Sequence, residues 1–497
     1  MGGKTGTYVI FLCLMTQVIC QETNAAVALS ASSDEIIKET GICRKCKCED
    51  TKIDCNEQGL TTFFSSSDWA SLAPLKPTHV DLSDNSFVNV TAMAELPVQM
   101  LNLSRCNIEF IAYSSFRDLQ QMVVLDLSHN KLTYEKLSPH AFEGRYAAEE
   151  YEPLRAMRTL NLAYNDLHSL NQDLFEHMPE LTELDLSGNP LGTVDHVTLI
   201  AISSLPMLKV LRMRSCNMKE IPDRLLHTPR YLERLDISDN QLTAIPQELD
   251  ETKNLVYLNL NQNPIEELDV NSEEFPGFPR LKKLMELHMC NMPKLTRVGI
   301  SSLAGLENLE RLHMSYNEKL SYIDPKALAR PDDIGEMFVY PQLTHLYLQS
   351  NNLSSIDSRL LARWDNLQDI AVSDNPWLCD CTNQWMVSNL VTYIEVIHPN
   401  ATAEMSCQEP IEMRGYNMKH LHEVHRDMRC LDKYGHRPEK DGAILLGTLI
   451  GVLLAVPIML ALVLMWRQGY FAWIGLRGPS PMSRAFYKRA PADDNYI

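Results

Sequence analysis

The sequence predicts an α/β solenoid. In it, stacked parallel strands form a concave sheet, the convex side is mostly irregular, cysteine-bearing ends close the stack, and one transmembrane helix follows. Three observations carry this prediction. A short leucine pattern recurs over residues 77–376, eight cysteines bracket that region in two groups of four, and a 24-residue run without charge follows the second group.

The pattern is clearest at Leu181-Thr182-Glu183-Leu184-Asp185-Leu186-Ser187-Gly188-Asn189-Pro190-Leu191, which reads L-x-x-L-x-L-x-x-N-x-L. Alternation suits a short strand with Leu184 and Leu186 inward, while Thr182, Glu183, Asp185, Ser187 and Gly188 face or edge onto solvent. One such strand cannot bury its apolar side alone, so it makes sense only as one rung of a stack. The place of Asn189 is held in turn by Asn85, Cys106, Asn130, Asn165, Asn189, Cys216, Asn240, Asn263, Met292, Asn317, Asn351 and Asn375, which gives twelve rungs. At each, the chain must turn sharply, and an amide there offers both donors and an acceptor to buried backbone groups. Cys106 and Cys216 read as buried structural thiols. Met292 cannot hydrogen-bond, so rung nine is expected to be irregular, with Cys290 the most accessible thiol. Two steps exceed the usual spacing and imply insertions, GRYAAEEYEP at 144–153 and ARPDDIGEMFVYP at 329–341.

The chain is 497 residues long, too long for one compact core but suitable for a stacked array. Its net charge of −19 argues against nucleic acid as a partner. Residues 1–20 carry Lys4 and then an apolar run, the order of a secretory signal peptide. Residues 21–42 are polar and aperiodic, a leader. Residues 43–76 hold Cys43, Cys46, Cys48 and Cys55. A C-x2-C pair alone also suits zinc, but the signal peptide and the second quartet favour disulfides. On the returning side of the repeats, Phe116, Phe142 and Phe175 and the Ile-Pro pairs at Ile221-Pro222 and Ile245-Pro246 fit apolar packing by loops and short helical turns. Residues 377–430 hold Cys379, Cys381, Cys407 and Cys430, with Trp377 placed to cover the apolar end of the stack. For each quartet, three pairings are open.

These residues together resemble the extracellular leucine-rich repeat family. The rungs match its 20–29-residue period, Cys43–Cys55 resembles its N-terminal cysteine cap, and NPWLCDC at 375–381 with Cys407 and Cys430 resembles its C-terminal cap. The resemblance implies the pairs Cys43–Cys48, Cys46–Cys55, Cys379–Cys407 and Cys381–Cys430, and a leucine-rich repeat horseshoe. Among membrane-anchored members, the chain is similar to the short-tailed insect cell-adhesion proteins of the Capricious and Tartan type.

A linker at 431–442 leads to the apolar run at 443–466, which at ~1.5 Å per residue exceeds a hydrocarbon core of ~30 Å. Residues 467–497 carry five basic against two acidic residues, which leaves −22 on the rest and places this tail in the cytoplasm. The expectation is a single-pass type I protein of the plasma membrane, its tail at most recruiting adaptors through Tyr470, Tyr487 or Tyr496. Gly447 and Gly451 form G-x-x-x-G, a pattern that admits close helix–helix approach and a homodimer.

Two patches interrupt the acidic concave face. Rung six offers Lys209, Arg212 and Arg214, and rungs nine to eleven offer His288, His313, Tyr316, His345 and Tyr347. Histidine and aromatic side chains on an open sheet are interface-like, and the second patch is the expected contact for a protein partner. A metal site at His288 and His313 lacks an evident carboxylate or third ligand, so no metal or other cofactor is expected. Sequons at Asn89, Asn102, Asn352 and Asn400 fit an exposed ectodomain. The sequence holds no nucleophile–base signature, metal quartet or phosphate loop, so no catalytic residue is expected. The leading reading is a cell-surface recognition or adhesion receptor for an extracellular protein or another cell-surface receptor. The alternative is an innate immune pattern receptor or co-receptor; a self-signalling version would need a far larger cytoplasmic domain.

Overall fold

The structure, a computed structural model, describes residues 41–147, 150–272, 276–331, 337–399, 401–430 and 438–468. The signal peptide, nearly all of the leader, Asn400, most of the linker and the three tail tyrosines lie outside these residues. Two units are distinguished, the larger holding the repeats and the smaller holding the C-terminal helix.

In the larger unit, fourteen three-residue strands form one sheet. The first two, Lys47–Glu49 and Lys52–Asp54, make an antiparallel hairpin that carries both N-terminal disulfides, Cys43–Cys48 and Cys46–Cys55. The hairpin's second strand pairs in parallel with rung one, His79–Asp81, so the cap continues the sheet. It also covers the open end with Trp69, fully buried on the helix Ser66–Ala70, whose start is fixed by the reciprocal Ser65–Asp68 capping box. Rungs two to twelve follow without a break, each strand parallel to the last.

Each rung repeats the burial of the Leu181–Leu191 stretch. Leu184 and Leu186 are both fully buried, and at roughly 1.5–3 kcal/mol per leucine such pairs dominate the stability of the stack. Ser187, expected toward solvent, is buried instead. Its N–H donates to Asp185 Oδ1 (2.9 Å), which draws the residue into the turn.

The asparagine ladder performs the job its chemistry allows. Asn240 Nδ2 donates to Met213 O and Ile237 O, and its Oδ1 accepts from Cys216 N–H and Met218 N–H, so one amide ties two successive turns. Asn130, Asn165, Asn189 and Asn263 repeat the two carbonyl contacts. Cys106 and Cys216 supply only the donor half: each thiol lies near two backbone carbonyls. Burial pushes these thiols up to about 11 and about 12, so neither reacts as a thiolate at neutral pH. The residue before each ladder position is left-handed in all twelve rungs, from Asp84 (φ 57°) to Asp374 (φ 53°), and only once is it glycine, Gly188.

Rung nine departs from expectation. Met292 is buried and brings no hydrogen bond, yet Glu286–His288 pairs in register with both neighbouring strands. Asn317 Oδ1 accepts the Met292 N–H, the same contact that Asn240 Oδ1 makes to the Cys216 N–H, so the ladder runs on through the backbone of this position. The two insertions form antiparallel hairpins, Arg145–Ala147 with Glu150–Glu152 and Arg330–Pro331 with Phe338–Val339. The returning side holds 3₁₀ turns and one helix, His196–Ser203. It also holds short parallel strand pairs that periodicity did not indicate, Asn89–Val90 with Phe110–Ile111 and a three-strand set over Glu267–Leu268, Arg297–Val298 and Tyr322–Ile323.

At the C-terminal end, Trp377 is fully buried and its strand Trp377–Leu378 pairs with Cys407–Glu409. The disulfide Cys379–Cys407 locks that pairing. In the smaller unit, Cys381 is bonded to Cys430, and the helix Pro438–Arg467 includes a stretch from Gly442 to Arg467 long and apolar enough to cross a membrane. Gly447 and Gly451 lie on this helix with open space where a Cβ would project.

Replacing Asn240 by Ala should strand the Met213 carbonyl and the Cys216 and Met218 N–H groups, while Ile237 O keeps its bond from Asn263 Nδ2, and lower stability by at least about 2 kcal/mol. Asn240→Cys, which mimics rungs two and six, should cost about half as much. Urea denaturation midpoints of the two variants and the parent check the order; equal losses would show that the donor half contributes nothing.

Candidate interaction surface

The strand register sorts the outward side chains of rungs seven to twelve into two rows. One row runs Arg234, Tyr257, Glu286, Arg311, His345 and Asp369; the other runs Asp236, Asn259, His288, His313, Tyr347 and Ala371. At ~4.8 Å between strands, neighbours in a row must touch. In the second row, His288 and His313 stack at 4.0 Å and 7°, and His313 and Tyr347 at 4.5 Å and 22°. Tyr257 adjoins His288 at 5.2 Å and carries the Arg234 guanidinium 4.0 Å above its ring. Flat rings held against one another lose little rotamer freedom when a partner covers them.

Polar groups fix both ends of the stack. Glu286 accepts from His288 Nε2 (2.7 Å) and from Arg311 Nε (2.9 Å). Burial alone would raise its carboxyl, but these two partners together hold it below the ordinary glutamate range. Tyr347 OH donates to Asp369 Oδ2 (2.6 Å), while Asp369 Oδ1 lies 2.7 Å from His398 Nε2. Burial first, then that bond to Asp369, pushes the Tyr347 hydroxyl up to about 12. His313 is held down to about 4, chiefly by burial and then by the neighbouring His288. Its Nε2 is buried without a hydrogen-bond partner, and the Glu286 carboxylate at 3.9 Å is beyond hydrogen-bonding reach.

The other sequence-selected residues sort differently. His345 lies on the sheet, its Nδ1 2.9 Å from Thr344 Oγ1, at the edge of the stack. Tyr316 does not join it: this residue is the left-handed turn residue after rung ten (φ 60°), exposed and outside the strand. In rung six, Lys209 pairs with Glu233 (3.1 Å) and Arg212 lies 3.6 Å from Glu183, so that patch is largely neutralised. Arg214 is exposed and forms no ion pair among the described residues. Sequence reasoning missed Glu286, Arg311 and Asp369. The signal was present in the period-two spacing of Glu286 with His288 and of Arg311 with His313, which puts each pair on one face.

A second regularity explains where the patch falls. In seven rungs the last strand residue is Asp or Asn, and its Oδ1 accepts the N–H two residues on: Asp81, Asn102, Asp126, Asn161, Asp185, Asp236 and Asn259. Arg212, His288, His313, Tyr347 and Ala371 cannot make that bond. In three of these rungs the freed N–H turns to the preceding rung: Arg214 to Ser187 Oγ, Cys290 to Asn261 Oδ1 and Ser315 to Cys290 Sγ. The side chains at 288, 313 and 347 are thereby free to project rather than to cap.

The model of the leucine-rich repeat family matches residues 97–145, 152–191 and 206–265. With the stacked strands, the asparagine ladder and the two disulfide-bonded ends, this makes the chain a leucine-rich repeat protein. Among its relatives, podocan-like protein 1 of Mus musculus is 26% identical over 315 residues, 60% of this chain and 52% of that one. The chain thus spans about half of that relative's length. Lumican of Gallus gallus is 25% identical over 355 residues, covering 70% of this chain and 93% of its own. Among solved structures, the mouse RP105/MD-1 complex is similar with a TM-score of 0.49 and 18% identity over 74% of this chain and 53% of that one.

His313→Asn should leave stability within about 1 kcal/mol of the parent, because the lost stacking is offset by a gained turn bond. Thermal melts test this; a loss beyond about 2 kcal/mol would mean the stack is a core element.

Proposed function

We propose that this protein is a cell-surface recognition or adhesion receptor that binds an extracellular protein partner through the open face of its repeat sheet at rungs nine to eleven. The single observation behind this reading is the interlocked row His288–His313–Tyr347. It consists of preorganised rings on an exposed sheet, at the positions where the repeat gives up its own capping bond. The apolar stretch Gly442–Arg467 supports membrane anchoring, and the disulfide-bonded ends support an oxidising compartment. Basic residues after that stretch support a cytoplasmic C-terminal side.

Cells expressing the full-length protein should cluster with one another or with cells bearing the partner. The double variant His313→Asn/Tyr347→Asn, expressed at equal surface level, should lose that clustering. In equilibrium binding, a hot spot worth about 2 kcal/mol corresponds to a ~30-fold weaker affinity. Undiminished aggregation by the double variant would reject this surface as the contact.

Glycans at the sequons fit the same orientation. Asn89 and Asn352 are exposed, whereas Asn102 lies half-buried on rung two with its Oδ1 engaged by Ser104 N–H (3.0 Å). A glycan at Asn102 would cover the N-terminal end of the sheet and leave rungs nine to eleven open. Peptide mapping after enzymatic deglycosylation should find Asn89 and Asn352 occupied; unmodified peptides at both would remove this support for an exposed ectodomain.

A further inference from the structure

Glu286, His288 and His313 converge on one point of the sheet. Each offers one ligand atom, and all of these atoms lie within 4.8 Å of one another. Glu286 Oε1 is 2.7 Å from His288 Nε2 and 3.9 Å from His313 Nε2. In a tetrahedral zinc site, with metal–ligand bonds of ~2.0–2.2 Å, ligand atoms stand about 3.3–3.5 Å apart, between these two distances. His313 Nε2, buried and without a hydrogen-bond partner, is a polar atom that the fold leaves unused. Sequence reading stopped at two histidines for want of a carboxylate; Glu286, two residues before His288 on the same strand face, supplies it.

We propose that Glu286, His288 and His313 bind a zinc ion on the sheet, with one coordination position open to solvent or to a carboxylate of a partner protein. Two nitrogens and one oxygen suit zinc, whereas calcium and magnesium require shells of oxygen. Arg311 donates to Glu286 Oε2 and leaves Oε1 facing the histidines, the kind of outer contact that orients a ligating carboxylate. Tyr347 backs the His313 ring at 4.5 Å. On binding, the Glu286–His288 hydrogen bond gives way to two metal bonds, and His288 ligates through a deprotonated Nε2. The two rings turn out of their stack so that both nitrogens reach the ion.

Titration of metal-stripped full-length protein in detergent micelles with zinc chloride alone tests the site by calorimetry. The parent should take up one zinc equivalent that His313→Asn and Glu286→Gln each lose, or bind at least ~10-fold more weakly. His313→Asn carries a residue that caps the same position in other rungs, and a thermal melt confirms that each variant is folded. Absence of uptake by the parent, or an isotherm unchanged in either variant, would overturn the three-ligand assignment. No partner is present in this titration, so its failure leaves the recognition reading standing, and partner binding in chelator tests that reading alone.

Discussion

The interaction on which the rest of the structure depends is the buried amide that joins one turn to the next. A solenoid exposes no backbone edge between rungs only if the carbonyls and N–H groups at each turn are satisfied inside the stack. Asn189 does this with Leu162 O and Leu186 O on one side and Leu167 N–H on the other. Removing such a group leaves buried polar atoms stranded, a larger cost than the modest net gain of the bonds themselves. Cys106 and Cys216 show the tolerance of the arrangement, since a thiol can replace the donor half. Met292 shows its limit, since its side chain brings neither donor nor acceptor and only its backbone N–H joins the ladder, at Asn317 Oδ1.

Because the ladder and the leucines hold the rungs from within, the outward strand residues are free of any duty to the core. Most still serve locally, as Asp126 and Asp236 do when each accepts the N–H two residues ahead. Where His288, His313 and Tyr347 replace Asp or Asn, this local bond is given up and a continuous ring surface is gained. Glu286, Arg311 and Asp369 in the adjoining row then fix that surface by hydrogen bonds. Stability thus falls to the inward residue of each three-residue strand, and the outward residues are left for the recognition proposed above.

Much of this was legible in the sequence. Period-two alternation and the recurring Asn placed all twelve rungs, and the acidic background made the histidines and tyrosines conspicuous. What was not legible depends on groups meeting across rungs 20 or more residues apart. The hairpin form of the insertions, the continued register at Met292 and the meeting of Glu286 with His313 are all set by neighbours in space. Tyr316 misled because it is three residues past the strand, where the chain has already turned left-handed (φ 60°) and left the row. Ser187 misled because alternation ends where the turn begins, and the Asp185 carboxylate pulls its backbone inward.

The central claim is that recognition resides in the rungs whose last strand residue has abandoned the turn cap. Its most direct test is a binding scan in which that residue is changed to Asn one rung at a time, with partner affinity measured on folded full-length protein. Affinity should fall at 288, 313 and 347 and stay unchanged at 81, 126, 185 and 236. Losses concentrated at the four aspartates, with His288, His313 and Tyr347 silent, would contradict the account.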